Sequence, residues 1–138
     1  MLKNDKFEAM KISELRLGNL IRISPRPNEE GILFLAEIHP ESIIGVMLIP
    51  RQGYHFRIKF DEMLPLPLNI DWLGKFGFSK TESSDVWNDK KSLINLKFSE
   101  DSGCFILEED VFGETICNVH ELQNEYFLQT GEELIPKI

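Results

Sequence analysis

The segment "YHFRIKF" (54–60) alternates without a break: Tyr54, Phe56, Ile58 and Phe60 fall on one side, His55, Arg57 and Lys59 on the other. A period of two over seven positions belongs to a strand with one covered face. It predicts that the aromatics are core and the basic row is surface. Upstream, "ILFLAEI" (32–38) and "SIIGVMLI" (42–49) are apolar runs of strand length, separated by His39-Pro40-Glu41. Both are rich in large or β-branched side chains, which favour strands. "KISELRLGNLIRI" (11–23) offers a short helical or turn segment that Ser13 could cap, a turn at Gly18-Asn19 and a strand from about Leu20 to Ile23. "SPRPNEEG" (24–31), with two prolines, Asn28 and Gly31, is expected to be a loop. Four strands with short connections make an antiparallel meander, expected to form a small SH3-like barrel or a curled sheet.

The period changes after "LPLPL" (64–68), an extended connector because each proline disfavours helix at its predecessor. Asn69 suits the N-cap of a short helix, "IDWLGKF", with Leu68 and Leu73 as a staple and Gly77 as its stop. "KTESSDVWNDKK" (80–91) is a loop or a weak edge strand around Val86-Trp87. "LINLKF" (93–98), "GCFILEE" (103–109) and "GETICNV" (113–119) read as three antiparallel strands. If the last two form a hairpin centred near Asp110-Val111, Cys104 faces Cys117 and Phe105 faces Ile116. The closing helix is set by Asn118 and Glu121 as a capping box, Cys117 and Leu122 as a staple, and Gly131 at its end. Val119, Leu122 and Tyr126, with Gln123, Phe127 and Thr130 one position over, give it one inward face. Leu134 and Ile135 are expected to pack back from the tail.

The fold class is therefore α+β. Residues 1–10 are expected to be a loose extension, 11–63 the small β module, and 64–138 an α+β module sharing one core with the first. A chain of 138 residues, 42% hydrophobic and 28% charged, is long enough for such a core. No apolar run reaches the ~20 residues of a membrane span, and the N-terminus has no apolar region of a secretory signal. A soluble cytoplasmic protein without membrane contact is expected, and in that compartment both cysteines should be thiols.

Charge is unevenly spread. Residues 1–60 carry nine Lys/Arg and seven Asp/Glu; residues 61–138 carry six and sixteen, which gives the net −8. Phosphate binding by the second half is disfavoured, and an acidic surface steers toward basic partners. Its densest point is the turn Glu108, Glu109, Asp110.

Candidate chemistry is sparse. Cys117 beside a helix N-terminus, with His120 three residues on, has the outline of a nucleophile and its base. The plainer account makes Cys117 a staple and His120 first-turn surface, and no orienting partner is identifiable. Glu108, Glu109 and Asp110 with His120 lack any metal-ligand spacing. Phosphate-cradling glycine loops and the nucleophile-elbow motif are absent from the sequence. No cofactor or metal is expected. Arg51, His55, Arg57 and Lys59 form the single basic stripe, and on a small barrel such a stripe fits single-stranded nucleic acid. The alternating aromatics, expected inside, weigh against that use.

Three stretches, "KISELRLGNLIRI", "LPLPLNIDWLGKFGF" and "VHELQNEYFLQTGEEL", together resemble the hallmark segments of a family of small uncharacterised proteins from bacteria and their phages. That family carries L-R-x-G-N-L-V, then P-x-P-L-T-x-E-W-L-x-x-F-G-F, then V-H-x-L-Q-N-x-Y-F-x-L-T-G-E-E-L. The likeness keeps the order and spans roughly a third of the chain. Asn69 stands where the family has Thr, Gln129 where an apolar residue is common, and residues 1–9 precede the usual start. The resemblance implies a phage or mobile-element setting and a structural role for the matching residues, with no activity attached. The expected function is a non-enzymatic accessory protein that binds another protein. The alternatives are a nucleic-acid-associated small barrel and an acidic mimic of nucleic acid that inhibits a DNA-binding enzyme.

Overall fold

The computed structural model describes residues 11–80, 82–91, 94–108 and 113–137. The expected N-terminal extension and the tip of the 103–119 hairpin lie outside the described residues. The architecture is α+β: two antiparallel sheets of four strands and, among the described residues, two α-helices. The chain divides into two compact units, Met1–Leu66 and Pro67–Ile138. No helix of the described residues is long and apolar enough to cross a membrane.

The first unit opens with a 3₁₀ turn at Ile12–Glu14 and the Gly18-Asn19 turn, where buried Asn19 accepts from Arg16 N–H at 2.7 Å. Then come β1 (Leu20–Arg26), β2 (Glu29–Ile38), β3 (Ser42–Ile49), β4 (His55–Lys59) and a second 3₁₀ turn at Phe60–Glu62, the strands paired in sequence order. The meander is the expected one, but the sheet stays open and no barrel closes. β1 and β4 are its two edges. Along β1, Leu64 exchanges both backbone hydrogen bonds with Arg22, at 2.9 and 2.8 Å. The core is Leu15, Ile21, Ile23, Leu33, Leu35, Ile43, Ile58 and Met63.

Two expectations fail here. The stretch 24–31 is not a loop: β1 runs to Arg26 and β2 starts at Glu29, so only Pro27 and Asn28 turn, with Asn28 at φ 67. Pro25 falls at the register shift between Ile23 and Arg26 on an edge strand, where a missing N–H costs little. Of the aromatics expected in the core, Phe60 packs half-buried against it, but Tyr54 and Phe56 do not. Tyr54 is 53% and Phe56 39% exposed, and only Ile58 is buried. Phe56 pairs with Gly45, and the space over Gly45 is already filled by Leu33, whose Cδ1 would lie 2.8 Å from a Cβ there. Phe56 is left at the margin of the sheet.

In the second unit α1 (Ile70–Lys75) is capped as expected, Asn69 Oδ1 accepting from Trp72 N–H at 2.9 Å. Gly77 follows at φ 88. The sheet has four strands, not the expected three: β5 (Val86–Asn88), β6 (Asn95–Ser99), β7 (Cys104–Leu107) and β8 (Thr115–Ile116). The extra strand is the weak edge candidate, held by pairing with β6 and by a bridge from Ser79 to Asn88. The β7–β8 register sets Phe105 opposite Ile116, as the hairpin reading required.

Cys104 and Cys117 are joined in a disulfide, their Cα atoms 4.7 Å apart, so the thiols expected of a reducing compartment are corrected. They flank the Phe105–Ile116 pair, and cross-strand neighbours at that separation can bridge without backbone movement. α2 (Val119–Thr130) starts where pairing stops. Glu121 Oε1 accepts from the N–H groups of Cys117 and Asn118 at 3.2 and 3.0 Å, and Gly131 ends the helix at φ 76. Val119, His120, Leu122, Gln123 and Tyr126 are buried, while Phe127 is 39% exposed. Of the tail pair, Leu134 packs and Ile135 does not.

Candidate functional site

The sequence-derived site residues do not assemble into one site. Cys117 is half of the disulfide and Glu121 takes its N–H, so it has no thiolate to offer. His120 is buried at 3% exposure, against the expected surface position. A nucleophile–base pair of these residues is therefore absent from this oxidised state. Glu108 is exposed, with its N–H bonded to Asn95 O at 2.9 Å; Glu109 and Asp110 lie outside the described residues. Among the described residues no group of three or more His, Cys, Asp or Glu is placed to hold a metal ion. Arg51, His55, Arg57 and Lys59 are exposed, and Arg57 Nη1 donates to Ser42 Oγ at 2.7 Å.

A groove of about 790 Å³ in the first unit was not anticipated. Its buried lining is apolar: Ile23, Gly31 and Ile58, with half-buried Met47 and Leu64. Ile23 and Ile58 belong to the core of this unit, and Met47 packs against it. Its exposed margin is acidic, with Glu29 and Glu30 at the start of β2 and Asp61 and Glu62 in the 3₁₀ turn, against Arg57 from β4. Glu30 pairs with Arg22 at 3.1 Å, and Glu62 accepts from Lys59 N–H at 2.9 Å. Asp61 has no hydrogen bond or ion pair among the described residues. Exposed Phe56 borders the opening.

The groove was missed because its parts are far apart in sequence. The signal was present as two acid pairs, "NEEG" and "FDEM", each at the end of a strand. The surplus of basic residues in the first sixty positions masked them. A second hollow, of about 200 Å³, lies in the second unit between Lys75, Lys90, Lys91 and Lys137, with Tyr126 and the buried Asp89 in its lining. A carboxylate inside and the Lys91–Glu132 ion pair at 2.8 Å offset its positive charge.

No family model, curated protein or solved structure matches the chain.

Proposed function

We propose that the chain is a non-enzymatic protein-binding module, acting in the phage or mobile-element setting that the family resemblance implies, and that its first unit receives the partner. The observation carrying this is the open groove with an apolar lining and an acidic margin, bordered by exposed Phe56. A concave apolar surface edged by polar groups, with aromatic anchors at hand, is the composition of a binding site. The acidic run Glu108-Glu109-Asp110 is the competing site for a basic partner.

A photo-crosslinking side chain at position 56, used in an extract of the host cell and read by mass spectrometry, tests this. A specific adduct is expected at 56, with none at Leu128, which is 77% exposed in the second unit. Equal labelling at the two positions, or none at either, overturns it. Loss of the adduct on reversing Glu108, Glu109 and Asp110 to lysine, with position 56 intact, moves the site to the acidic run.

Nucleic-acid binding by the first unit gains one favourable point from the exposure of Tyr54 and Phe56 beside the basic row. Of the basic row, however, Arg57 alone lines the groove that Phe56 borders. Phe56 borders a margin of four carboxylates, which repel phosphate. A single-stranded oligonucleotide shifted at low salt, and released by Arg57→Glu, would reverse this preference.

A further inference from the structure

β4 has hydrogen-bonding capacity that nothing in the described residues uses. Met47 N–H donates to Tyr54 O at 2.7 Å, so Tyr54 belongs to the set of β4 residues whose backbone faces β3. In an antiparallel ladder that set recurs every second residue. Phe56 and Ile58 therefore also face β3, and His55, Arg57 and Lys59 turn their N–H and C=O groups outward. Lys59 bears this out, because its N–H is taken by Glu62 Oε1. The outward groups of His55 and Arg57 meet no partner among the described residues. The opposite edge differs, since Leu64 occupies Arg22 on both groups.

We infer that the first unit binds its partner by strand addition. An extended segment of another protein pairs with His55 and Arg57 along β4, sets an apolar side chain into the groove, and meets the acidic margin with a flanking lysine or arginine. This rests on the protein-binding proposal above and specifies its mode. Main-chain bonds to an open edge supply affinity, and alternate side chains supply specificity. Charge selects the class of segment: Glu29, Glu30, Asp61 and Glu62 outnumber Arg57 around the opening, and Asp61 is unpaired among the described residues. An acidic segment would meet repulsion there.

Random dodecapeptides displayed on phage, selected on the immobilised full-length chain, provide the probe. Enrichment of sequences with Lys or Arg next to a large apolar residue is expected. The best peptide, labelled with fluorescein, should lose at least about tenfold in affinity when alternate backbone amides are N-methylated in the register that faces β4. A similar loss is expected with Asp61→Lys, an exposed position whose side chain makes no hydrogen bond or ion pair among the described residues. No enrichment, or enrichment of acidic peptides, overturns the inference. Indifference to N-methylation overturns strand addition, yet leaves the protein-binding proposal standing if position 56 still crosslinks. A stable dimer crosslinked from 56 to 56 overturns it too, because a second copy would then fill the edge.

Discussion

Asn69 and Tyr126 each do something a neighbouring residue type could not. Asn69 Oδ1 satisfies the Trp72 N–H, one of the donors a helix leaves unpaired at its start. Asn69→Ala should cost about 1 kcal/mol, read as a lower urea midpoint, and Asn69→Thr should recover most of it. Tyr126 is buried, and its phenol is held above its ordinary value of 10.0, first by burial and then by the carboxylate of Asp89. A raised phenol pKa means the folded state keeps its proton longer than the unfolded one. The associated stability is intact below about pH 10 and is lost as pH rises through the folded value. Urea midpoints between pH 8 and pH 11 should fall more steeply for the natural chain than for Tyr126→Phe; equal slopes would refute the assignment. Caps and stops of this kind were readable in the sequence because they depend on three or four consecutive residues. The burial of His120 and the exposure of Phe56 were not. Each depends on what a distant segment brings over it, and for Phe56 that is Leu33 filling the space above Gly45.

At the scale of elements, the meander was readable from alternation and breakers, and the β7–β8 register from matching apolar positions. Errors fell at edges. Pro25 reads as a breaker in the sequence, although an edge strand with a register shift tolerates it. Val86–Asn88 is short and sits among polar residues, so its pairing with β6 and the bridge to Ser79 make it a strand. The groove went unseen because an unclosed sheet and a closed barrel share the same pattern of alternation. The disulfide connects β7 to the residue before the α2 cap, across 13 positions. Replacing Cys104 and Cys117 together with serine should lower stability by about 2–4 kcal/mol, with a matching fall on adding reductant to the natural chain. Thiol titration of the unfolded, unreduced protein should return no free cysteine.

For the molecule as a whole, net charge bears on partner class more directly than fold does. A net charge of −8 favours approach by basic groups over acidic ones, and the groove margin repeats that sign locally. Complex formation should therefore weaken as salt is raised from 0.05 to 0.5 M, mainly through slower association. Biolayer interferometry with the crosslinked partner would measure this, and a salt-independent association rate would point to apolar contact alone. None of this follows from architecture, since an α+β arrangement fits many activities.

The unequal edges of the first sheet also limit self-assembly. A sheet with two open edges can recruit copies at both ends and grow into a filament. Here Leu64 occupies Arg22 on β1, and among the described residues β4 is the edge left without such a partner at His55 and Arg57. Two copies meeting through β4 would use up the last template in this sheet, so growth by this route stops at a pair.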